Sequence, residues 1–337
     1  MAHIHRISGS TQYLINGTRP IQGKKLATLD EIQHFYDHYS EILTETQTTI
    51  SRQQDKIILG LSDDELRLDR QLQDAIARQT QEVDKNIDDL NLMITLEKRF
   101  FTRTGYRLRH WIAVTFRDQH IHAPYAGISR ELGSVRDRKN NHINNKQTVI
   151  QRECYNITSS YEFLRTNETF LIGAHGEEAV IAALSRLPDE FHVLNDVNLH
   201  FQKAIHWRER NEYIKNCQID HIVVRPTGIF LVETKNWKSS DIELKSDDLR
   251  YQVRRSSLAL WYYLKKFYWR AEWPKIRNVI VSMNGSPSGR KPDKYIDIVT
   301  PNQLCSYITA RKIALSEAAI HRLVDLLSRE RHLRPRF

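Results

Sequence analysis

Two carboxylates and one ammonium stand where a short stretch of this chain can set them to work. Gln218-Ile219-Asp220-His221 is followed by Phe230-Leu231-Val232-Glu233-Thr234-Lys235. Ile219 to Val224 and Ile229 to Thr234 read as apolar strands. Arg225-Pro226-Thr227-Gly228 between them has turn chemistry, with Pro second and Gly fourth. If Arg225 and Gly228 close the turn, Asp220 falls opposite Glu233, at a Cβ separation of about 4.5–5.5 Å. Alternation then turns Glu233 and Lys235 to the face of Asp220. Carboxylates that close repel, and burying them is costly unless a cation joins them. Oxygen-only ligands suit Mg²⁺ or Mn²⁺, which leave positions for water and phosphate oxygens. A one-residue slip at the turn would point Asp220 the other way.

Upstream, Gly173-Ala174-His175-Gly176-Glu177 opens a helix that carries Val180, Leu184 and Leu187 on one face. Glu177 precedes Val180 by three positions and Leu184 by seven, so it shares that inward face, whereas Glu178 lines up with Ala182 and Ser185. The plainer alternative is a first-turn glutamate stabilised by the helix dipole. The hairpin downstream favours Glu177 as a site residue.

The order Gly-x-x-Gly-Glu, Gln-Ile-Asp-His, Pro-x-Gly-Ile-Phe, Glu-Thr-Lys-Asn-Trp resembles the nuclease-related domain family (NERD) over about the second half of the chain. The resemblance implies a restriction-endonuclease-like fold and metal-dependent phosphodiester hydrolysis. Asp220, Glu233 and Glu177 would hold Mg²⁺ or Mn²⁺, the last directly or through water. Lys235 would orient the attacking water or stabilise developing charge. The resemblance also implies that Gln252 reaches the site from a later helix. The chain departs from the family pattern at Lys238-Ser239-Ser240, where a glycine is expected soon after Asn236-Trp237, and its link to Gln252 is short.

The elements that must position these groups follow from pattern. The chain has 337 residues, 40% hydrophobic and 27% charged, enough for two ordinary domains. We expect a small segment over 1–29, a helical, coiled-coil-like domain over 30–165, and a nuclease-like domain over 166–337. The fold class is α/β, with a mixed sheet flanked by helices in the C-terminal half behind an all-α N-terminal half. Tyr13-Leu14-Ile15 before Asn16-Gly17 reads as a small hairpin. Ile32 to Ile57 recur at helical spacing, Gly60-Leu61 breaks the run, and Ser62-Asp63-Asp64-Glu65 reads as a capping box. Leu72, Ile76, Val83, Leu90 and Ile94 form a narrow near-heptad stripe that suits a long helical hairpin or coiled coil. Gly105 is a candidate helix break, and His120 to Pro124 reads as a loop. Phe191 to Leu194 reads as a first strand and Asn195 to Asn216 as a frayed strand pair with a basic loop. Residues 241–244 and Ile296 to Val299 read as strands, 247–270 as a helix, and 331–336 as a basic tail.

Formal net charge is +9, which favours polyanionic partners, nucleic acid first; DNA is the expected partner, although the charge does not tell it from RNA. Arg254, Arg255, Lys265 and Lys266, interleaved with Trp261, Tyr262 and Trp269, can track a phosphate backbone, although helix aromatics are more often core. Cys154, Cys217 and Cys305 lack paired spacing, which argues against a disulfide framework and fits a reducing cytoplasm. Trp111-Ile112-Ala113-Val114 is too short to span a bilayer and has basic flanks, so no membrane partner is expected. No Gly-x-x-x-x-Gly-Lys-Ser/Thr occurs, which excludes an ATP-driven motor of that type. The expected function is a metal-dependent nuclease, with defence or DNA processing as its setting and a homo-oligomer formed through the helical half. The alternatives are a nucleic-acid-binding module that cleaves nothing and a coiled-coil assembly protein that retains a nuclease fold.

Overall fold

The computed structural model describes residues 1–236, 246–267, 275–284, 294–311 and 315–329. In chain order these form β1 (His3–His5), α1 (Gly9–Gly17), α2 (Leu29–Asp37), α3 (Tyr39–Leu96), α4 (Phe100–Thr115), α5 (Arg117–His122), a 3-10 turn, α6 (Ala126–Thr166) and α7 (Glu168–Leu184). Then come β2 (His192–Trp207), β3 (Glu212–Arg225), β4 (Gly228–Lys235), α8 (Ser246–Phe267), β5 (Ile276–Ser282), β6 (Ile296–Val299), α9 (Pro301–Thr309) and α10 (Glu317–Arg329). Two compact units result: Ser40–Tyr155, and Met1–Tyr39 together with Asn156–Phe337. The expected strand at 241–244, the basic tail at 331–336, Trp237, Trp269 and the side chains of Leu249, Lys266 and Phe267 lie outside what is described.

The Ser40–Tyr155 unit is an antiparallel helical hairpin. Leu68 on α3 is buried with Leu132 and Val135 on α6, flanked by Leu61, Leu72 and Ile128. Pairs running in opposite directions fix the register: Gln54 with His142, Asp55 with Lys146, Glu65 with Arg136 and Lys139, and Asp84 with Arg117. Each such exposed ion pair contributes little alone, so the half-buried stripe at Leu72, Ile76, Val83, Leu90 and Ile94 carries the packing. α3 runs unbroken through Gly60, against expectation. Ser62 does not cap a new helix; its hydroxyl donates to the Ile58 carbonyl. The break comes at 97–99 rather than at Gly105, and Arg117–His122 is helical rather than a loop.

The other unit is a six-stranded sheet in the order β1-β2-β3-β4-β5-β6. β2, β3 and β4 are antiparallel, whereas β1 joins β2, and β5 joins β4 and β6, in parallel. The expected frayed pair over Asn195 to Asn216 is two long strands, with the basic loop at 208–211. One face of the sheet packs Ile222, Val224, Ile229 and Leu231 against Val253, Leu260 and Leu264 of α8 and Leu323 of α10. The other packs Val223, Phe230 and Val232 against Val180 and Leu184 of α7 and Leu304 of α9. β4, covered on both faces, is for this reason apolar at consecutive positions. The segment before α2, to which the sequence assigns no role, supplies the edge strand β1. Tyr13 to Gly17 are helical, not a hairpin, because Ser8 caps α1 by accepting from the Thr11 amide.

Two glycines separate backbone need from tolerance. Gly228 has φ +124, and a Cβ there would meet the Lys275 carbonyl oxygen at 3.0 Å. Gly60 meets nothing within 4 Å. Gly228→Ala is expected to destabilise by about 1–3 kcal/mol, and Gly60→Ala to stabilise by about 0.5–1 kcal/mol. Thermal denaturation followed by circular dichroism checks both; a neutral Gly228→Ala would refute the turn geometry.

Candidate active site

The β3–β4 hairpin has the register read from the turn. Arg225 pairs with Gly228, and the ladder runs on to His221 with Val232. One step further, Asp220 and Glu233 are the next opposed pair. There the Asp220 carboxylate enters the ladder itself, and its Oδ2 accepts the Thr234 amide at 2.9 Å. Ile229 and Leu231 belong to the α8 face, so alternation sends Glu233 and Lys235 there too. Glu233 is 1% exposed. Its Oε1 accepts from Lys235 Nζ at 2.7 Å and from the amide nitrogen of Gln252 on α8. Gln252, which the sequence alone would pass over, is thereby joined to Glu233 and Lys235.

Thr234 points to the α7 face, where Gly176 makes room: a Cβ on Gly176 would stand 3.2 Å from Thr234 Cγ2. Gly176 therefore lies inside α7 rather than at its start, and Glu177 is not a first-turn residue. Beside Thr234, His221 is fully buried. Its Nδ1 donates to Asn195 Oδ1 at 2.8 Å, and its Nε2 accepts from Thr234 Oγ1 at 3.1 Å. The Asn195 amide nitrogen donates to the Arg6 carbonyl at 2.7 Å, which fixes its orientation and hence the imidazole tautomer. Burial without a charge partner pushes the His221 pKa down to about 3, so it stays neutral. This polar chain runs from the N-terminal segment to the strand that carries Glu233. Sequence reasoning missed it, although an Asn and a His inside apolar runs were the available signal.

Glu177 is held at the start of α1. Its Oε1 accepts from Ser10 Oγ at 2.6 Å and its Oε2 from the Ser10 amide at 3.3 Å. Glu178, read as facing elsewhere, also turns to this helix, accepting from Thr11 Oγ1 at 3.0 Å and the Ser8 amide at 3.4 Å. Two carboxylates at a helix N-terminus answer its free amides and its dipole. Asp196 stands nearby with φ +50 and accepts from Gln218 Nε2 at 2.7 Å. Gly9 lets Asp196 come close: a Cβ there would stand 2.7 Å from Asp196 Oδ1 and would make that side chain shift.

Three carboxylates feel one another. Burial, then the charge of Glu233, pushes Asp220 up to about 7. Burial raises Glu233, with Lys235 pulling down and Glu177 pushing up. Burial, then Asp220, raises Glu177. Among the described residues, no three His, Cys, Asp or Glu side chains stand close enough to share one ion. Asp220 and Glu233 are brought together, while both oxygens of Glu177 are engaged by Ser10. Among the described residues, the buried Oε2 of Glu233 has no hydrogen-bond partner. A buried carboxylate oxygen left bare beside a second carboxylate fits a hard divalent cation.

A cavity of about 140 Å³ opens elsewhere along α8, lined by Trp207, Arg210, Arg250, Tyr251 and Arg254. Arg250 and Arg254 are four apart, on a different side of the helix from Gln252. Trp207 and Tyr251 stack at 5.3 Å, and Arg210 sits 5.9 Å above the Tyr251 ring. Three guanidiniums line the cavity, and Glu212 nearby is engaged by Arg255 and Tyr251. Arg255 is thereby structural. Trp261 and Tyr262 are exposed rather than core.

Residues 172–280 match the nuclease-related domain family, a stretch that contains Glu177, Asp220, Glu233, Lys235 and Gln252. An uncharacterized protein of Bacillus anthracis is 40% identical over 67 residues, which are 20% of this chain and 27% of that protein. The matched stretch thus spans about a quarter of that relative's length. No solved structure matches the chain.

A carboxylate whose folded pKa is raised binds its proton more tightly in the folded state. Its contribution to stability is full below the unfolded value of 3.8 and is lost as pH rises through about 7. In chelator, thermal midpoints are expected to fall across this window, and Asp220→Asn, which keeps an acceptor for the Thr234 amide, should flatten the fall. An unaltered pH profile in this variant would mean that Asp220 ionises normally.

Proposed function

We propose that the nuclease-related domain at 172–280 hydrolyses phosphodiester bonds of nucleic acid, DNA first, with Mg²⁺ or Mn²⁺ held by Asp220 and Glu233. The bare, buried Oε2 of Glu233 opposite Asp220 carries this reading. When bound, a divalent cation supplies Lewis acidity toward the scissile phosphate and activates water. Glu233 would use Oε2, since Oε1 is taken. Asp220 would use the oxygen not engaged with Thr234. Glu177 would contribute through water. Lys235, held by Glu233, would present its ammonium to the developing negative charge or orient the nucleophile. Gln252 fixes the Glu233 rotamer. The chain Arg6–Asn195–His221–Thr234 keeps the end of β4 in place, and the arginine-lined cavity would seat a backbone phosphate of the strand. The engagement of Glu177 by Ser10 favours a second reading, in which the same unit holds nucleic acid without cleaving it.

Incubation with plasmid, linear and single-stranded DNA and RNA, with Mg²⁺, Mn²⁺ or chelator, tests the reading. Glu233→Ala/Lys235→Ala is expected to lose metal-dependent cleavage by several orders of magnitude while retaining strand binding. Full-length substrate in every lane, with binding intact, would favour the non-cleaving reading. For the cavity, Arg210→Gln/Arg254→Gln should weaken single-strand binding in chelator. It should also reduce the slope of log K against log salt by roughly 0.7, for the one phosphate no longer neutralised. An unchanged slope would remove the cavity from the strand's path.

A further inference from the structure

α4 carries its apolar face on the outside. At 100° per residue, Phe100, Trp111, Leu108, Phe101 and Ile112 fall within an arc of about 120°. On an ordinary amphipathic helix such an arc faces the core. Here the half-buried positions are Tyr106, His110 and Ala113, on the opposite side, and no residue of the helix is buried. Phe101 is 87% exposed, Phe100 75% and Trp111 60%. Leu92, Met93 and Leu96, at the end of α3, are exposed as well. Scattered apolar residues on a surface need no explanation, but five large ones on one arc of a helix mark an interaction surface.

Charge indicates what covers it. From Lys98 to Thr115 the chain has five basic residues (Lys98, Arg99, Arg103, Arg107, Arg109) and no Asp or Glu. On the helix projection Arg103 and Arg107 border one edge of the apolar arc, and Arg109 lies beyond the other. A second copy of the chain would set these like charges against one another. A nucleic-acid strand would satisfy the arginines and could stack on Phe and Trp, but it gains nothing from Leu108 and Ile112. Acyl chains beneath anionic headgroups satisfy both sets. Long basic side chains at the edges of an apolar arc reach up to the headgroups while their stems stay in the apolar layer. Spanning is excluded for this helix: 16 residues rise about 24 Å, short of a hydrocarbon core of about 30 Å. No helix among the described residues is long and apolar enough to cross a membrane.

We propose that α4 is an interfacial helix that lays Phe100, Phe101, Leu108, Trp111 and Ile112 into an anionic lipid surface. Trp111 to Val114, too short to span, is then part of a segment that lies flat. The proposal is independent of phosphodiester cleavage.

The test is co-sedimentation of the full chain, in chelator, with vesicles rich in phosphatidylglycerol and with vesicles of phosphatidylcholine alone. Lipid-free sedimentation velocity and single-strand binding run alongside. Binding is expected to the anionic vesicles only and to weaken in high salt. Phe101→Gln/Trp111→Gln should weaken it at least about tenfold, and Arg103→Gln/Arg107→Gln roughly 25-fold, at about fivefold per basic residue. All four side chains are exposed, so thermal midpoints should hold. Absence of binding to anionic vesicles, or equal binding by Phe101→Gln/Trp111→Gln, overturns the proposal. So does an oligomer that this variant dissociates without lipid, which would make a second copy the occupant. Loss of strand binding with vesicle binding untouched would assign the arc to nucleic acid instead.

Discussion

Burying the carboxylate of Glu233 at the end of β4 is the constraint to which the rest of the nuclease-related unit answers. A buried carboxylate without partners costs several kcal/mol. Lys235 and Gln252 meet one of its oxygens and leave the other bare. Each neighbouring element then has a definable task. α8 must bring Gln252 over the strand end. α7 must pass close enough at Gly176 to cover Thr234 without pushing β4 aside. Asp220 must turn its side chain into the ladder, because there the strands have no further backbone pair to offer Thr234.

The polar chain through His221 answers the same constraint from the other face. A fully buried imidazole held neutral between an amide and a hydroxyl is costly to misplace, since removing either partner leaves a buried polar group unpaired. It therefore ties the end of β4 to Arg6, and through Arg6 to the segment that also supplies β1 and the α1 N-terminus. That helix start sits against Glu177 and Glu178. Glu177, raised by burial and by Asp220, is thus met by a backbone amide and a hydroxyl that come from a distant part of the chain.

The hairpin was legible in the sequence because turn chemistry and alternation are local. Pro226 and Gly228 define the register, and the register places Asp220 against Glu233 and turns Glu233 and Lys235 to one face. Gln252 was legible only through family resemblance, since its partner lies 19 positions away on another element. The role of Ser8, Ser10 and Arg6 was not legible at all: no periodicity connects them to Glu177 or Asn195. Gly60 costs a helix about 1 kcal/mol, which the long packed hairpin of α3 and α6 absorbs, so this local breaker signal yielded to tertiary packing. Asn16-Gly17 reads as a hairpin turn until Ser8, eight positions earlier, is seen to cap a helix.

The route of the chain through the sheet also sets an order of events. His3 pairs with His192, and Arg6 receives the Asn195 amide. At the ribosome, where chains grow by roughly 5–20 residues per second, β1 waits on the order of 10–40 s for its neighbour to exist. The Ser40–Tyr155 hairpin, whose packing is internal to that insertion, is complete well before β2 emerges. The carboxylate centre therefore matures after the helical hairpin. A nascent or truncated chain lacking β2 to β4 carries a finished helical hairpin and no centre, so any chemistry of that centre is deferred until β2 to β4 and α8 have been made.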